Sequence, residues 1–337
     1  MTITILAIET SCDETSAAVI QNGYVLSNII TTQPIHAQYG GVVPELASRA
    51  HILHIAPVVH QALTQANVTL AHIDAFAYTY APGLLGALLV GSTYAKSLAL
   101  ACNKPTIAVH HMQAHVLANC IPRAGYTVPP FPLLCLTVSG GHTQLVLCHT
   151  PNHMHIIGTT LDDAAGEAFD KTAKILGLPY PGGPLIDVYA QQGIEKKYSF
   201  PEPKIAGYNY SFSGLKTSIL YFIQNGLKEN PNFITENLAD ICASVQYRIV
   251  TILLNKYKQA IKQYGIRHIC IGGGVSANSG LRKAFTTMGK QLQCTTYIPP
   301  MEYCTDNAGM IAMAAHYKYI AGDFAAMDAV PTARATF

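Results

Sequence analysis

Residues 109–118 read VHHMQAHVLA, and His111 and His115 within that run stand four apart. On an α-helix this spacing puts both imidazoles on one face, neighbours across one turn. Two imidazoles so placed grip a transition metal at two points. The run lacks the glutamate of an HExxH zincin, since Met112 and Gln113 stand between the histidines instead. A metal here would be without the usual peptidase base, which leaves its task open. Taken by spacing alone, such a pair is more often a helix face with two ordinary histidines.

Other residues with chemical capacity sit in turns. Residues 3–9 (ITILAIE) read as an apolar strand, TSCDETS as a polar turn, and AAVI as the start of a returning strand. The pattern repeats at 132–138 (PLLCLTV), with SGGHTQ as the turn and LVLC as the return. Hydroxyls and backbone N–H groups in such turns suit phosphate oxygens. Residues 268–285 (HICIGGGVSANSGLRKAF) run from a strand through Gly272, Gly273 and Gly274 toward a helix that Ser276, Asn278 or Ser279 can cap. Two similar hairpins and a glycine-rich strand-to-helix turn predict a duplicated α/β architecture that holds a nucleotide between its halves.

The elements that must carry these turns are mostly helical. Residues 44–66 predict a long helix opened by Pro44, and 160–177 a helix with an acidic start and a glycine end. Residues 234–264 and 306–321 predict two more, while Tyr180–Asp187 and Pro201–Gly214 read as loops. Residues 84–102 are apolar enough to suggest a membrane span, but Lys96 and the interspersed Gly, Ser, Thr and Tyr favour a buried helix. Half the residues are hydrophobic and 12% are charged, which permits a sizeable core and argues against disorder. The net charge of +2 is too balanced to mark a nucleic-acid binder by bulk charge. Nine cysteines without a CxxC fit a reducing compartment, with Cys12 and Cys304 placed in polar motifs. The apolar N-terminus lacks a basic leader, so a cytoplasmic protein with no membrane partner is expected.

Nine motifs occur in order over residues 9–312: ETSCDETSAAV, GGVVPELASRAH, HHMQAH, SGGHTQL, DDAAGEAFDK, YPGGPLID, SFSGLKT, GGGVSAN and CTDNAGMIA. In this order they resemble the bacterial TsaD branch of the Kae/Gcp/TsaD family. The resemblance implies an ASKHA fold, the actin, hexokinase and Hsp70 type, with two related α/β lobes and a central ligand cleft. Residues 1–129 would form the N-terminal lobe with the metal-binding histidines, 130–305 the C-terminal lobe with nucleotide-contacting loops, and 306–337 a helix returning to the first lobe, with a tail. It further implies transfer of threonylcarbamoyl from threonylcarbamoyl-AMP to N6 of the adenosine 3′ of the anticodon, in tRNAs reading codons that begin with A. AMP is released, and TsaB and TsaE are the implied partners.

The resemblance also assigns residues. His111, His115 and Asp306 match the metal ligands, with Fe(II) favoured and Zn(II) the alternative. Val138, Ser139, Gly140, Gly141 and His142 match a ligand-contacting loop, and Asp170, Gly183, Asp187 and Asn278 match further substrate-binding positions. Singly, these read as a hairpin turn, a helix-surface acid, a turn glycine and a helix cap. Ser11, Asp13 and Glu14 are expected near the reactive centre, with Thr10 or Ser11 toward phosphate and an acid taking the N6 proton. Glu9 and Lys216 are family-like positions without a role, and Ser16 stands where the family often has glycine. A basic stripe of Arg49, Lys171, Lys174, Arg248 and Lys283 is the expected tRNA surface. Competing readings are a metal-dependent glycoprotein endopeptidase, a non-catalytic nucleotide-binding scaffold, and a sugar or acetate kinase.

Overall fold

A computed structural model describes residues 2–336 of the chain. The chain divides into two compact units, each with its own sheet. The first takes residues up to 131, 149–154 and those from 299 onward; the second takes 132–148 and 155–298.

In the first unit, β1 (Thr4–Glu9), β2 (Thr15–Gln21) and β3 (Tyr24–Thr31) form an antiparallel meander. α1 (Pro44–Gln65) follows, then β4 (Ala75–Ala81), α2 (Leu85–Cys102), β5 (Thr106–His110) and α3 (His111–Leu117). The sheet order is β3-β2-β1-β4-β5, with β4 and β5 parallel to β1 and to each other. Every residue of β1 is buried, as expected of a central strand covered on both faces.

The second unit repeats the scheme. It holds β6 (Leu133–Val138), β7 (Thr143–Thr150), β8 (His153–Thr159), α4 (Ala165–Ile175), α5 (Gly182–Ala190), α6 (Ser213–Glu229), α7 (Phe233–Tyr264), β9 (His268–Gly272), α8 (Ser279–Gln291) and β10 (Thr295–Tyr297). Its sheet order is β10-β9-β6-β7-β8, with the β6–β7 hairpin antiparallel and β9 and β10 parallel. The chain then returns to the first unit as α9 (Ala308–Ile320). The duplicated α/β architecture expected from the two hairpins is present.

α2 and α7 are both long and apolar enough to cross a membrane by length and composition. In α2 the buried face includes Ala87, Gly91, Ala95 and Ala99, a stripe of small residues every fourth position. It lets the helix lie close to the Thr10 turn: a Cβ on Gly91 would meet Thr10 Oγ1 at 2.2 Å. α7 supplies much of the second core, including Ile249, Leu253 and Tyr257. Tyr257 Oη lies 2.6 Å from Leu134 O and 3.0 Å from Cys270 N, which ties α7 to β6 and β9.

Two expectations are corrected. The loop expected over 180–187 is helix from Gly182 onward, where α5 begins. The Gly182 and Gly183 N–H groups both donate to Asp170 Oδ1 at 2.9 Å, and a carboxylate receiving first-turn amides is what a helix start needs. The 160–177 helix is shorter than expected: residues 160–164 stay extended or bent, and α4 starts at Ala165. There Thr160 Oγ1 donates to Asp163 O at 2.7 Å, a local bond that competes with helix.

Candidate metal centre and glycine-rich loops

β5 runs directly into α3, and His110 joins them. Its Nδ1 accepts from Met112 N at 3.2 Å, capping the helix, and its Nε2 lies 3.2 Å from Ala335 O. His111 and His115 then share a buried face, with ring centroids 4.6 Å apart and edge-on. Asp306 reaches the pair from the entry to α9. Its Oδ1 lies 3.3 Å from His111 Nε2 and 3.2 Å from His115 Nε2. One ligand atom from each of the three residues falls within 4.8 Å of the others.

Asp306 is positioned by the start of α9. Asn307 Oδ1 accepts from Met310 N at 3.0 Å, Ser16 Oγ from Ala308 N at 2.8 Å, and Asn28 Oδ1 from Gly309 N at 3.0 Å. The first-turn amides of α9 are thus held by its own cap and by strands β2 and β3. Ser16 thus has a structural task here.

Behind His111 stands Glu9, fully buried at the end of β1. Its Oε2 is 3.2 Å from His111 Nδ1 and also receives the Thr79 hydroxyl, while Oε1 accepts from Ser11 N at 2.5 Å. Ser11 Oγ is 3.2 Å from the same Nδ1. This contact on Nδ1 fixes the ring and leaves Nε2 facing Asp306, the usual support of a metal-ligating histidine. Burial opposes the charged form of His111, yet Asp306 and Glu9 outweigh it and hold its pKa well above the ordinary value. Burial likewise opposes charge on Glu9 and Asp306, and His111 overcomes it in both, lowering their pKa. For His115 burial prevails and the pKa falls. The group therefore attracts positive charge, and two imidazoles with one carboxylate and open positions fit a divalent metal.

Ser11, Asp13 and Glu14 lie on the turn between β1 and β2, in this same unit. Burial, reinforced by Asp306 and Asp13, pushes Glu14 up to about 9. The turn is held by His51 of α1, whose Nδ1 is 2.8 Å from Thr15 Oγ1 and whose Nε2 is 2.9 Å from Cys12 O. Thr10 faces inward: its hydroxyl donates to Ala87 O at 2.9 Å, so it is committed to α2 rather than to a ligand. Burial and the nearby carboxylates raise the Cys12 thiol, which argues against a thiolate nucleophile. Cys304 is buried, with its Sγ against Pro300 O at 3.4 Å.

The second unit assembles the other predicted residues into a ring. Val138 ends β6, and a Cβ on Gly273 would meet its carbonyl oxygen at 2.5 Å, with Gly273 at φ +86. Ser139 N donates to His142 O at 2.8 Å, closing the turn over Gly140 and Gly141, where an added Cβ would meet open space. Gly166 of α4 donates to Ser139 O at 3.2 Å. One turn on, Asp170 holds Gly182 and Gly183 of α5, and Asp187 of α5 accepts from Ser279 N at 2.9 Å and Ser279 Oγ at 2.7 Å. Asn278 caps α8 through Leu281 N at 2.9 Å and donates to Gln246 Oε1 at 2.7 Å. Asp170 and Asp187 therefore each spend acceptors on the fold, and burial raises the Asp170 pKa against its two amide bonds.

The expected basic stripe is largely neutralised within the chain. Arg49 pairs with Glu45, Lys171 with Asp163 and Glu167, and Arg248 with Glu202. Among the residues that sequence reasoning left without a role, Glu9, Thr79, His51 and Ser16 now have contacts. An acid closing an apolar strand was the available signal for Glu9; Thr79 was visible only as a polar residue late in AFAYTYA.

The family model described as TsaD, tRNA N6-adenosine threonylcarbamoyltransferase, matches residues 24–313. The chain belongs to the TsaD family. A tRNA N6-adenosine threonylcarbamoyltransferase from Christiangramia forsetii is 54% identical over 335 residues, covering 99% of this chain and 98% of that one. One from Porphyromonas gingivalis is 51% identical, with 99% and 98% covered. As a TsaD-family member the chain is a transferase that modifies tRNA. Among solved structures, full-length HypF in a phosphate- and nucleotide-bound form superposes with a TM-score of 0.61 at 15% identity, covering 94% of this chain and 46% of that one. Component A of the Acidaminococcus fermentans (R)-2-hydroxyglutaryl-CoA dehydratase gives 0.55 at 12%, with 95% and 98% covered. At such identities the likeness shows fold alone, and that fold is the ASKHA type.

Proposed function

We propose that the chain transfers threonylcarbamoyl from threonylcarbamoyl-AMP to N6 of the adenosine immediately 3′ of the anticodon, in tRNAs that read codons beginning with A. The N6–carbonyl bond forms, the bond from the carbonyl carbon to the phosphate oxygen breaks, and AMP leaves. The acyl carbon arrives activated, so no enzyme nucleophile is required. The observation that carries the reading is the His111–His115–Asp306 group backed by Glu9, with the carboxylates of Asp13 and Glu14 on the adjoining turn.

His111, His115 and Asp306 would hold one divalent metal, Fe(II) in preference to Zn(II), which supplies Lewis-acid stabilisation of charge developing on oxygen. Asp13 takes the proton released from N6, Glu14, which burial and its acidic neighbours keep protonated, donates a hydrogen bond beside the reacting group, and Ser11 orients the ligand beside His111. Val138, Ser139, Gly140, Gly141, His142, Asp170, Gly183, Asp187 and Asn278 bind the adenylate, with open backbone at Gly140 and Gly141 suited to close approach. Residues 1–129, 130–305 and 306–337 act as metal lobe, nucleotide lobe and returning helix. The target base is presented unstacked from its loop. TsaB and TsaE are partners, and the reaction takes place in the cytoplasm.

A glycoprotein endopeptidase is disfavoured by Glu9. Both of its oxygens are committed to Ser11 N, Thr79 and His111, so it cannot serve as a water-activating base. The deciding test combines the chain, TsaB, TsaE, threonylcarbamoyl-AMP, Fe(II) and an unmodified tRNA, followed by nucleoside analysis. Threonylcarbamoyladenosine should form with the wild type and drop at least a hundredfold with His111→Ala. No modified nucleoside from the metal-replete wild type would overturn the reading.

A further inference from the structure

A cavity of about 290 Å³ lies between the loop at 202–205 and the C-terminal half of α7. Its walls carry four lysines, Lys204, Lys256, Lys258 and Lys262. The helix contributes Asn255, Lys258, Gln259 and Lys262, a single stripe at i, i+3, i+4 and i+7. The one acid in the wall, Glu202, is already engaged by Arg248 at 3.4 Å and by Asn255 Nδ2 at 2.8 Å. Lys256 Nζ donates to Ile205 O at 2.5 Å and Gly207 O at 2.7 Å, which pins the loop against the helix and shapes the cavity.

What sets the other three lysines apart is their convergence on one cavity. Lys104, Lys171, Lys197 and Lys318 each face a carboxylate, whereas Lys174, Lys228, Lys283 and Lys290 face none among the described residues but do not line this cavity. Lys204, Lys258 and Lys262 are exposed and have no acidic partner among the described residues. Lys262 gains from the helix C-terminus, but Lys258 one turn earlier repels it, and Lys204 comes from a separate loop. Such a convergence opposes itself within the chain and is relieved by a polyanion.

We infer that this cavity docks the phosphodiester backbone of the tRNA. The inference rests on the reading of the chain as tRNA-directed and adds the surface that holds the nucleic acid. Lysine ammoniums are compact point charges that bind phosphate without reading sequence, as expected for a surface that positions rather than specifies. Along α7, Lys258 lies twelve residues beyond Gln246, the partner of Asn278, a span of about 18 Å. The cavity is therefore separate from the glycine-rich loops of the same unit.

The test measures tRNA binding by the full chain across a salt series. It uses the wild type, the triple variant Lys204→Ala, Lys258→Ala, Lys262→Ala, and a control pair at exposed positions outside the cavity, Lys228→Ala, Lys290→Ala. The triple variant should flatten the log–log salt slope by about two to three units and weaken binding at least tenfold near physiological salt. The KM for tRNA should rise while kcat at saturating tRNA and the melting temperature hold. An unchanged slope in the triple variant, a loss carried instead by the control pair, or no measurable tRNA binding by the wild type at low salt would each overturn the inference. A wild type that binds through these lysines yet forms no modified nucleoside would refute the proposed function and leave the dock standing.

Discussion

Glu9 shows how one side chain sets the character of the centre. It is buried, touches His111 Nδ1 and accepts from two other donors, so its effect on any metal passes through the imidazole. Replacing Glu9 by Gln keeps the volume and removes the charge that orients and polarises His111. Outer-shell changes of this kind cost about 10–100-fold in metal affinity. Glu9→Gln should weaken Fe(II) or Zn(II) binding by that factor in a competition titration, while ligation by His111 and His115 persists. Wild-type affinity in the variant would sink the assignment of Glu9 as the support of His111.

At the scale of elements, helix starts are held by side chains distant in sequence. α9 depends on Ser16 and Asn28 as well as Asn307, and α5 on Asp170. α6 depends on Asp162, whose Oδ1 accepts from Phe212 N at 2.8 Å and whose Oδ2 receives Ser211 Oγ at 2.5 Å. Burial works against the Asp162 carboxylate, but these bonds outweigh it and lower its pKa. A depressed folded pKa gives stability that is complete above the unfolded value, near 3.9, and is lost as pH falls through the folded value. Asp162→Asn should therefore melt below the wild type at neutral pH, and the gap should close as pH drops below about 4. A gap that is constant with pH would show that the carboxylate's charge is not what holds α6.

At the scale of the whole molecule, the proposed metal ligands come from residues far apart in the chain, with His111 and His115 on α3 and Asp306 beside α9. A metal that binds only the folded state stabilises it by mass action, about 2.7 kcal/mol at a hundredfold excess over Kd. For a unit of this size that corresponds to a rise in Tm of roughly 5–10 °C. Calorimetry with and without Fe(II) or Zn(II) should show this rise for the wild type and lose it for His115→Ala. An equal rise in the variant would mean that the metal binds elsewhere.

The sequence by itself determined the repeated strand–turn–strand plan, the helical face shared by His111 and His115, and the family, because those signals are local or lie in ordered motifs. It also pointed to Asp306, but only through resemblance; alone, that residue reads as an acid near a helix start. Tertiary structure decided what each polar residue is spent on. Thr10 turned inward to α2, Asp187 went to Ser279, Arg49 and Lys171 found carboxylates within their own helices or beside them, and α5 formed where glycines and proline suggested a loop. It likewise brought Glu9 and Thr79 behind His111 from strands seventy residues apart. The physical reason is that hydrogen bonds and ion pairs are short-ranged. Which donor meets which acceptor is settled only when the sheet register and helix packing have placed them within about 3 Å.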